Sequence, residues 1–440
     1  MHVLLLGKVP PIQGGVARET WLACRDIAAA GHSLDVLTNA NAMPIGFRQM
    51  FLPRDDVSLV SGEESMHLQN IDEVPPQSYI PWAPPYFSQL MSYCLESVEK
   101  NRPDVIVGWY LEPYGMVASV IGQMFGVPVV LRHAGSDIGR MRNLGGLKGF
   151  YDWALSQAAQ VITGRNQDAI EILRSAGVSE TAIVRCRGRR LCDSFSQRHE
   201  DFDLRTVLEH SVDWFSRYRL DPETLNALNE WNQSSLDCDG PVIGTYGKIA
   251  EVKGTYHLLD ALEQLAERGD AFCYRGIWSA TPYRLQHALR YLHQKPSLKG
   301  RVTILPPVAP WRIPAFIRSC STVAFLENRF PIEFHGPQVP REVLACKRPL
   351  LLSREIFNKV YFKDQLAEEV NVMVIEDPQE VSAMADQISR LLNSSELLSC
   401  LGHHAGALSR ILEAKAFRSD PIVDVIEDMG GYERRTHAFG

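Results

Sequence analysis

The chain has 440 residues, of which 45% are hydrophobic and 22% are charged. These values are typical of a well-packed globular protein and exclude a disordered or fibrous one. The length exceeds the roughly 250–300 residues at which single cores stop growing, so it predicts two domains with a cleft between them. A net charge of -7 argues against a whole-chain field that would attract nucleic acid.

The cysteines and apolar runs indicate the compartment. Nine cysteines are scattered without a Cys-x-x-Cys pair. Because a chain of this length folds without crosslinks, all nine are predicted to be reduced thiols, most of them in the core. The apolar run at residues 3–6 is too short for a signal-peptide core, and the interrupted stretch over 115–131 is too short to span a bilayer. We therefore expect a cytoplasmic protein.

Strand and helix patterns alternate over the first 190 residues. A strand pattern at 3–6 precedes a helical pattern over 16–30 and an alternating strand pattern over 33–38. Further strands are predicted at 104–109, 127–132 and 161–163, with a helix at 115–125. Strands that alternate with helices predict a parallel sheet covered on both faces.

The second half repeats this plan after a polar junction. The junction at 191–240 is rich in charge and carries helical patterns near 207–218 and 213–232. Further strands are predicted at 241–246, 272–277, 302–305, 322–326, 349–352 and 372–375, with a helix at 255–266. We therefore expect a Rossmann-like domain over 1–190, joined by a C-terminal helix around 418–440. The junction or insertion at 191–240 leads to a second Rossmann-like domain over 241–417.

In open parallel sheets, ligands bind outside the carboxyl ends of the strands, so the loops there are the candidate sites. Gly14 and Gly15 precede the first helix, whose free N–H groups suit a phosphate or a sugar hydroxyl; a tight turn is the alternative explanation. His133 and Asp137 follow the strand at 127–132. An imidazole there can donate or accept a hydrogen bond at neutral pH, and a hydrogen bond within the loop explains it equally well.

Charged side chains follow the strands of the second half. Lys248 and Lys253 lie between a strand and a helix, where two cations suit a departing diphosphate and a solvated lysine pair is the alternative. Glu333 and Glu342 offer carboxylates to ribose or hexose hydroxyls, although both are also explained as solvated acids. Two Asp-x-Asp patterns, at 201–203 and 237–239, lie in the polar junction and are discounted as metal sites.

Together these segments resemble the GT-B glycosyltransferases, and among them the retaining, nucleotide-sugar-dependent family 4. Residues 6–15 and 29–38 resemble the first β-α-β unit of that family, and His-Ala-Gly-Ser-Asp at 133–137 resembles its H-x-G-x-D loop. Residues 247–254 resemble its G-R-x-x-x-x-K-G segment, with Lys248 in place of Arg. Residues 342–349 resemble the segment that carries the second glutamate of its E-x7-E signature.

The resemblance implies a GT-B architecture, with two Rossmann-like α/β domains that face each other across a deep cleft. It implies that the lysines hold the donor diphosphate, that the second glutamate binds the ribose, and that the first glutamate and the histidine contact the transferred sugar. The implied catalytic residues are His133, Lys253 and Glu333. The implied donor-binding residues are Gly14, Gly15, Lys248, Lys253, Gly336 and Glu342. The implied acceptor-binding residues are Arg132 and Asp137.

The expected reaction is transfer of a hexose from a nucleoside-diphosphate sugar, UDP- or GDP-linked, to an acceptor hydroxyl with retention at the anomeric carbon. No cofactor and no metal are expected. The acceptor is expected to be a small molecule, a glycan or a lipid-linked molecule. Ten Lys and Arg against five Asp and Glu over 132–190 favour a phosphorylated or lipid-diphosphate acceptor and peripheral membrane contact, and scattered surface charge explains them equally well.

Two other functions fit the same sequence. A nucleotide-sugar 2-epimerase shares the two-domain plan and differs in needing no acceptor. A catalytically inactive GT-B protein that binds sugar nucleotides is suggested by the spacing of Glu333 and Glu342, which are nine residues apart where the family signature has eight. Tight donor binding without transfer would identify the inactive protein.

Overall fold

The computed structural model describes residues 1–53, 55, 66–70, 85–186, 191–196, 201–331, 336–416 and 419–436. The chain divides into two compact units. Unit 1 consists of Met1–Pro44, Asp56–Arg190 and Ala416–Gly440. Unit 2 consists of Ile45–Asp55 and Leu191–Lys415.

Unit 1 contains a seven-stranded parallel sheet. Its strands are His2–Gly7 (β1), Ser33–Thr38 (β2), Met66–Asn70 (β3), Val105–Trp109 (β4), Val129–Arg132 (β5), Gln160–Thr163 (β6) and Ile183–Arg185 (β7). Its helices are Gly15–Ala29 (α1), Pro85–Lys100 (α2), Met116–Phe125 (α3), Gly135–Gly139 (α4), Lys148–Ser156 (α5) and Gln167–Ser175 (α6), and the C-terminal helix Pro421–Thr436. The strand order is β3-β2-β1-β4-β5-β6-β7, so the sheet reverses direction of growth between β1 and β4.

Unit 2 contains a six-stranded parallel sheet in the order β10-β9-β8-β11-β12-β13. Its strands are Val242–Lys248 (β8), Cys273–Ser279 (β9), Val302–Leu305 (β10), Thr322–Phe325 (β11), Leu350–Ser353 (β12) and Met373–Ile375 (β13). Its helices are Asp193–Ser196 (α7), Leu204–Ser216 (α8), Pro222–Ser234 (α9), Thr255–Arg268 (α10), Pro282–His293 (α11), Ile313–Ser319 (α12), Val339–Ala345 (α13), Arg354–Lys359 (α14), Val381–Leu392 (α15) and Ser395–Ala414 (α16).

The strands of both sheets are rich in apolar residues because helices cover both faces of each sheet. Every residue of β4 is buried, and so is every residue of β12. Continuous burial of this kind is typical of parallel sheets, whose strands are apolar on both sides. The predicted α/β class with two parallel sheets is therefore confirmed.

The helices of the predicted junction pack within unit 2. Asp203 begins α8 by accepting a hydrogen bond from the Thr206 N–H at 3.0 Å, so one of the Asp-x-Asp patterns contains a helix cap. In α9, the Asn232 side chain exchanges two hydrogen bonds with the backbone of Ile304 in β10, at 2.8 and 2.9 Å. These bonds satisfy backbone groups at the edge of the sheet and attach α9 to it.

The prediction of nine reduced thiols is wrong for two of them. Cys238 and Cys273 form a disulfide, with their Cα atoms 6.0 Å apart. Cys273 begins β9, and Cys238 lies shortly before the neighbouring strand β8. Adjacent parallel strands bring the residues at their amino ends together, which the linear spacing of the cysteines does not reveal. The other seven cysteines are thiols.

One short segment packs in a different unit from the residues that precede and follow it in sequence. Ile45–Asp55 follows β2 of unit 1 but packs within unit 2. The Met50 N–H donates a hydrogen bond to the carbonyl of Pro307 at 2.6 Å, and Met50 pairs with Val308 in a parallel bridge. We call these eleven residues the inserted segment.

Candidate functional site

In unit 2, Lys248 is the last residue of β8 and pairs in register with Ser279 at the end of β9. The side chain makes no hydrogen bond or ion pair with any residue in the described part of the chain. The residue is exposed, yet protein atoms around its ammonium displace water and lower the pKa of Lys248 below its ordinary value. The charges of Lys253 and Arg284 lower it further. An anion bound here would relieve this repulsion.

Lys253 lies in the turn that connects β8 to α10. Its ammonium forms an ion pair with the buried carboxylate of Glu327 and lies 4.0 Å from the centre of the Phe330 ring. Glu327 follows the end of β11, so the ion pair joins the loops after β8 and β11. These two strands are neighbours at the point where the strand order reverses, which is where open α/β sheets bind their ligands.

Glu342 lies in α13 and is buried, with 3% of its surface exposed. Its carboxylate accepts a hydrogen bond from the Tyr246 hydroxyl at 2.7 Å, which connects α13 to β8. Gly336 precedes this helix and is exposed, and apart from its two chain neighbours no described residue has an atom within 4 Å of where a Cβ would lie. Glu333 lies outside the described residues, so its predicted role stays a prediction.

In unit 1, the loop after β1 leads to an open helix N-terminus. Gly14 has a φ of 110° and a ψ of 166°, a conformation that favours glycine, and no side chain caps α1. Gly14 and Gly15 are exposed, and in the described part of the chain no atom beyond their sequence neighbours lies within 4 Å of a Cβ at either position. The first N–H groups of a fifteen-residue helix therefore have room for an anionic or polar ligand.

His133 follows β5 and has a partner at each ring nitrogen. Nε2 lies 2.8 Å from the Thr163 hydroxyl, and Nδ1 lies 3.4 Å from the carbonyl of Ala134. Because a carbonyl only accepts, Nδ1 carries the proton and Nε2 accepts from Thr163. Burial lowers the pKa of His133 to about 4, and the charge of Arg132 adds to this effect. The imidazole is therefore neutral at pH 7 and acts as a hydrogen-bonding group.

Asp137 has a structural role within unit 1. Its carboxylate is buried and accepts hydrogen bonds from the N–H groups of Leu111, Ala134 and Ile138 at 2.9–3.1 Å. Burial raises the pKa of Asp137 to about 7, against the opposing effect of these N–H groups. A fully buried carboxylate that holds three backbone donors orders the loop after β5, and it has no surface to offer an acceptor.

Arg132 also has a structural role. Its Nη1 lies 2.6 and 2.7 Å from the two carboxylate oxygens of Asp420, which is fully buried. Its guanidinium lies 3.9 Å from the centre of the Trp109 ring. Asp420 immediately precedes the C-terminal helix, so this ion pair attaches that helix to the end of β5. Arg132 and Asp137 thus have structural partners within unit 1, and the acceptor-binding roles predicted for them stay predictions.

Two charged residues near the lysines were not predicted. Glu327 lies in the loop after β11, so the rule that selected the other loops also applies to it. Arg284 lies in the first turn of α11, and its charge acts on Lys248. No local motif distinguishes Arg284 from other exposed arginines. Within the described ranges, no group of three or more His, Cys, Asp or Glu is placed to hold a metal ion.

Comparison with solved structures identifies the fold. Anabaena HepE in complex with UDP and glucose matches with a TM-score of 0.57 and 15% identity, over 99% of each chain. The sucrose-phosphate synthase of Thermosynechococcus elongatus matches with a TM-score of 0.61 and 15% identity, over the whole of both chains. WaaG, a glycosyltransferase involved in lipopolysaccharide biosynthesis, matches with a TM-score of 0.57 and 12% identity, over 93% of this chain and 95% of WaaG. The chain has the GT-B fold.

Sequence comparison finds a relative that matches less than half of the chain. Alpha-D-kanosaminyltransferase of Streptomyces kanamyceticus is 26% identical over 194 residues, which are 44% of this chain. The match spans 47% of that enzyme, or about half its length. No protein-family model matches the sequence. Among the described helices, none has both the length and the apolar character needed to cross a membrane.

Proposed function

We propose that this GT-B protein is a glycosyltransferase that transfers a sugar from a nucleoside-diphosphate sugar to an acceptor. The observation that carries the proposal is the position of Lys248, an exposed cation beside Lys253 at the carboxyl ends of β8 and β11. HepE, with which the chain shares its fold, was crystallised with UDP and glucose, and the kanosaminyltransferase is named as a glycosyltransferase. Both names support this chemistry.

The two lysines would stabilise the charge that develops on the leaving diphosphate. Lys248 contributes a cation without a protein counter-ion among the described residues, and Lys253 contributes one that Glu327 holds in place. Fixed cations stabilise a developing anion without having to reorganise during the reaction. The carboxylate of Glu342 is proposed to bind the ribose, which requires the Tyr246 hydroxyl to share it.

The proposed donor is a UDP- or GDP-hexose, and transfer is proposed to retain the anomeric configuration. In this reaction the leaving phosphate accepts the acceptor proton from the same face, so no strong side-chain base is needed. The neutral imidazole of His133 is proposed to contact a sugar hydroxyl without removing its proton, which requires a ring nitrogen to exchange its present partner, Thr163 or the Ala134 carbonyl, for the sugar. Glu333 is proposed to contact the sugar, and neither a metal ion nor another cofactor is proposed.

Unit 1 is proposed to bind the acceptor, in the cytoplasm and at times at a membrane surface. Leu144 and Leu147 expose 57% and 44% of their surfaces, although both are apolar. They lie between Arg140 and Lys148, which are also exposed. Exposed leucines flanked by cations suit contact with an anionic bilayer, and hence a phosphorylated or lipid-linked acceptor.

The proposal is tested by screening donors and then removing the cation. Thermal shifts with UDP-, GDP-, ADP- and TDP-sugars identify the donor, because ligands that bind the folded state raise Tm. Lys248→Gln should then lower kcat/KM at least tenfold with Tm unchanged, since the residue is exposed. Lys363→Gln, at another exposed lysine of unit 2, is the matched control. Equal turnover by Lys248→Gln and wild type would contradict the proposal.

A further inference from the structure

The inserted segment lies across the carboxyl ends of two strands of unit 2. A Cβ on Gly46 would be 3.0 Å from Cδ of Pro282 and 3.1 Å from the carbonyl of Ala280, so the segment is in close contact with the chain just after β9. Farther along, Met50 donates to Pro307 and pairs with Val308 just after β10. The segment therefore borders the edge of the sheet at which Lys248 ends β8.

The end of the segment is firmly attached. Asp55 accepts hydrogen bonds from the Trp311 indole at 2.7 Å and from Nε of Arg312 at 2.8 Å. Only 2% of the Asp55 side chain is exposed, and the rings of Phe51 and Trp311 are 5.5 Å apart. A buried ion pair with this many hydrogen bonds holds the segment to unit 2 in one position.

Two aromatic rings are exposed where the segment meets β9. Phe47 exposes 40% of its surface and Tyr283 exposes 81%. Each is one residue away from the contact between Gly46 and Pro282, so the two residues are close to each other at this sheet edge. An exposed aromatic face is available to stack on a planar ligand, and nucleic-acid bases are the planar groups that proteins most often bind in this way.

Two cations lie at the same edge. Lys248 ends β8 opposite Ser279, and Arg284 is the neighbour of Tyr283 in α11. Neither makes an ion pair with a described residue, and each is exposed. Two cations beside two aromatic faces match a ligand with a phosphate group and a planar base.

We propose that the inserted segment is one wall of the nucleotide site of unit 2. Phe47 and Tyr283 stack on the base of the nucleoside diphosphate, while Arg284 joins Lys248 in binding its phosphates. This inference rests on the proposed function and extends it, because it names the residues that recognise the nucleoside. A piece of sequence that follows β2 of unit 1 thus contributes to the binding of the nucleotide by unit 2.

The test uses two probes that differ by the nucleoside alone. Calorimetry with UDP, GDP, ADP and dTDP first identifies the diphosphate that wild type binds most tightly. That nucleotide and inorganic pyrophosphate are then titrated into Phe47→Ala and Tyr283→Ala. Each variant should bind the nucleotide about 5- to 140-fold more weakly, as expected for loss of one stacking contact, and should bind pyrophosphate within about twofold of wild type.

Two further variants make the result specific. Lys248→Ala should weaken both probes, because it removes a phosphate contact. Tyr361→Ala, which removes an aromatic ring that is 68% exposed elsewhere in unit 2, should weaken neither. An unchanged Tm for the exposed-ring variants shows that each remains folded.

Each contrary outcome has a separate meaning. Wild-type affinity for the nucleotide in both Phe47→Ala and Tyr283→Ala would overturn this inference and leave the proposed function standing. Equal weakening of nucleotide and pyrophosphate in these variants would also overturn it, because the rings would then not act on the base. Failure of wild type to bind any of the four diphosphates would overturn the proposed function and the inference together.

Discussion

Replacing Arg132 distinguishes a structural residue from a substrate-binding one. The Arg132→Met variant keeps a long side chain over the Trp109 ring but leaves the buried carboxylate of Asp420 without its cation. We expect the C-terminal helix to separate more readily from the rest of unit 1. Binding of nucleotides to unit 2 should be unaffected, since no residue of that unit is changed.

The size of the effect follows from the burial of Asp420. Removing one partner of a buried ion pair typically costs about 3–5 kcal/mol, because the other charge remains buried. Asp420 is fully buried but also accepts a hydrogen bond from the Ile422 N–H at 3.1 Å, which the variant keeps. We therefore expect a loss near the lower end, about 3 kcal/mol, which corresponds to roughly a hundredfold change in the opening equilibrium.

Hydrogen exchange measures this opening directly. Amides of the C-terminal helix Pro421–Thr436 should exchange roughly a hundredfold faster in Arg132→Met, while those of α10 stay unchanged. Arg25→Met is the matched control, because Arg25 lies 5.4 Å from the Trp21 ring but is exposed. In the double variant Arg132→Met/Asp420→Asn, the helix amides should exchange more slowly than the sum of the two single-variant effects predicts, because the unpaired buried charge is removed.

One result would refute this reasoning. If helix exchange in Arg132→Met equals that of wild type while KM for the acceptor rises, the ion pair with Asp420 contributes nothing and Arg132 binds the acceptor. A rise in exchange with unchanged acceptor KM supports the structural role.

Three further predictions concern pH, backbone and thiols. Between pH 6.5 and about 4, His133 binds a proton in the unfolded chain but not in the folded one. The free energy of unfolding should therefore decrease as the pH is lowered through this range. The decrease should be up to about 3 kcal/mol larger in wild type than in His133→Asn. Urea unfolding at pH 7 and pH 4.5 measures this, and an equal fall in both proteins would disprove it. Gly14→Ala should cost roughly 1–3 kcal/mol and Gly15→Ala almost nothing, as seen in thermal denaturation, because only Gly14 has a positive φ. Mass spectrometry after alkylation without reductant should find Cys238 and Cys273 unmodified, and reducing their disulfide should lower the free energy of unfolding by about 4 kcal/mol.

Most strands were predictable because each is a short apolar run. Val302–Leu305 and Ser33–Thr38 lie where the pattern placed them. The edge strand Met66–Asn70 was not predicted, because its sequence Met-His-Leu-Gln-Asn has only two apolar residues and no β-branched or aromatic one. An edge strand is less buried than a central one, so it needs fewer of the apolar residues from which strands are predicted.

The candidate site was predictable in position and less so in its contacts. Lys248 and Gly14 were found from a single rule, that loops after parallel strands bind ligands. The pairing of Arg132 with Asp420 joins residues that are almost three hundred positions apart, and no local pattern indicates it. A charged residue beside a strand end looks the same in sequence whether it meets a substrate or a distant counter-ion.

The inserted segment has a consequence for how the protein is made. At about 5–20 residues per second, Asp55 leaves the ribosome roughly 13 to 50 seconds before its partner Arg312. Until then, the apolar side chains of Phe51 and Leu52 have no binding surface in unit 2. Expression of residues 191–415 alone would omit the segment and leave Trp311 without Asp55. A chimera that exchanges unit 2 with that of another GT-B protein therefore has to carry these eleven residues from the other half of the chain.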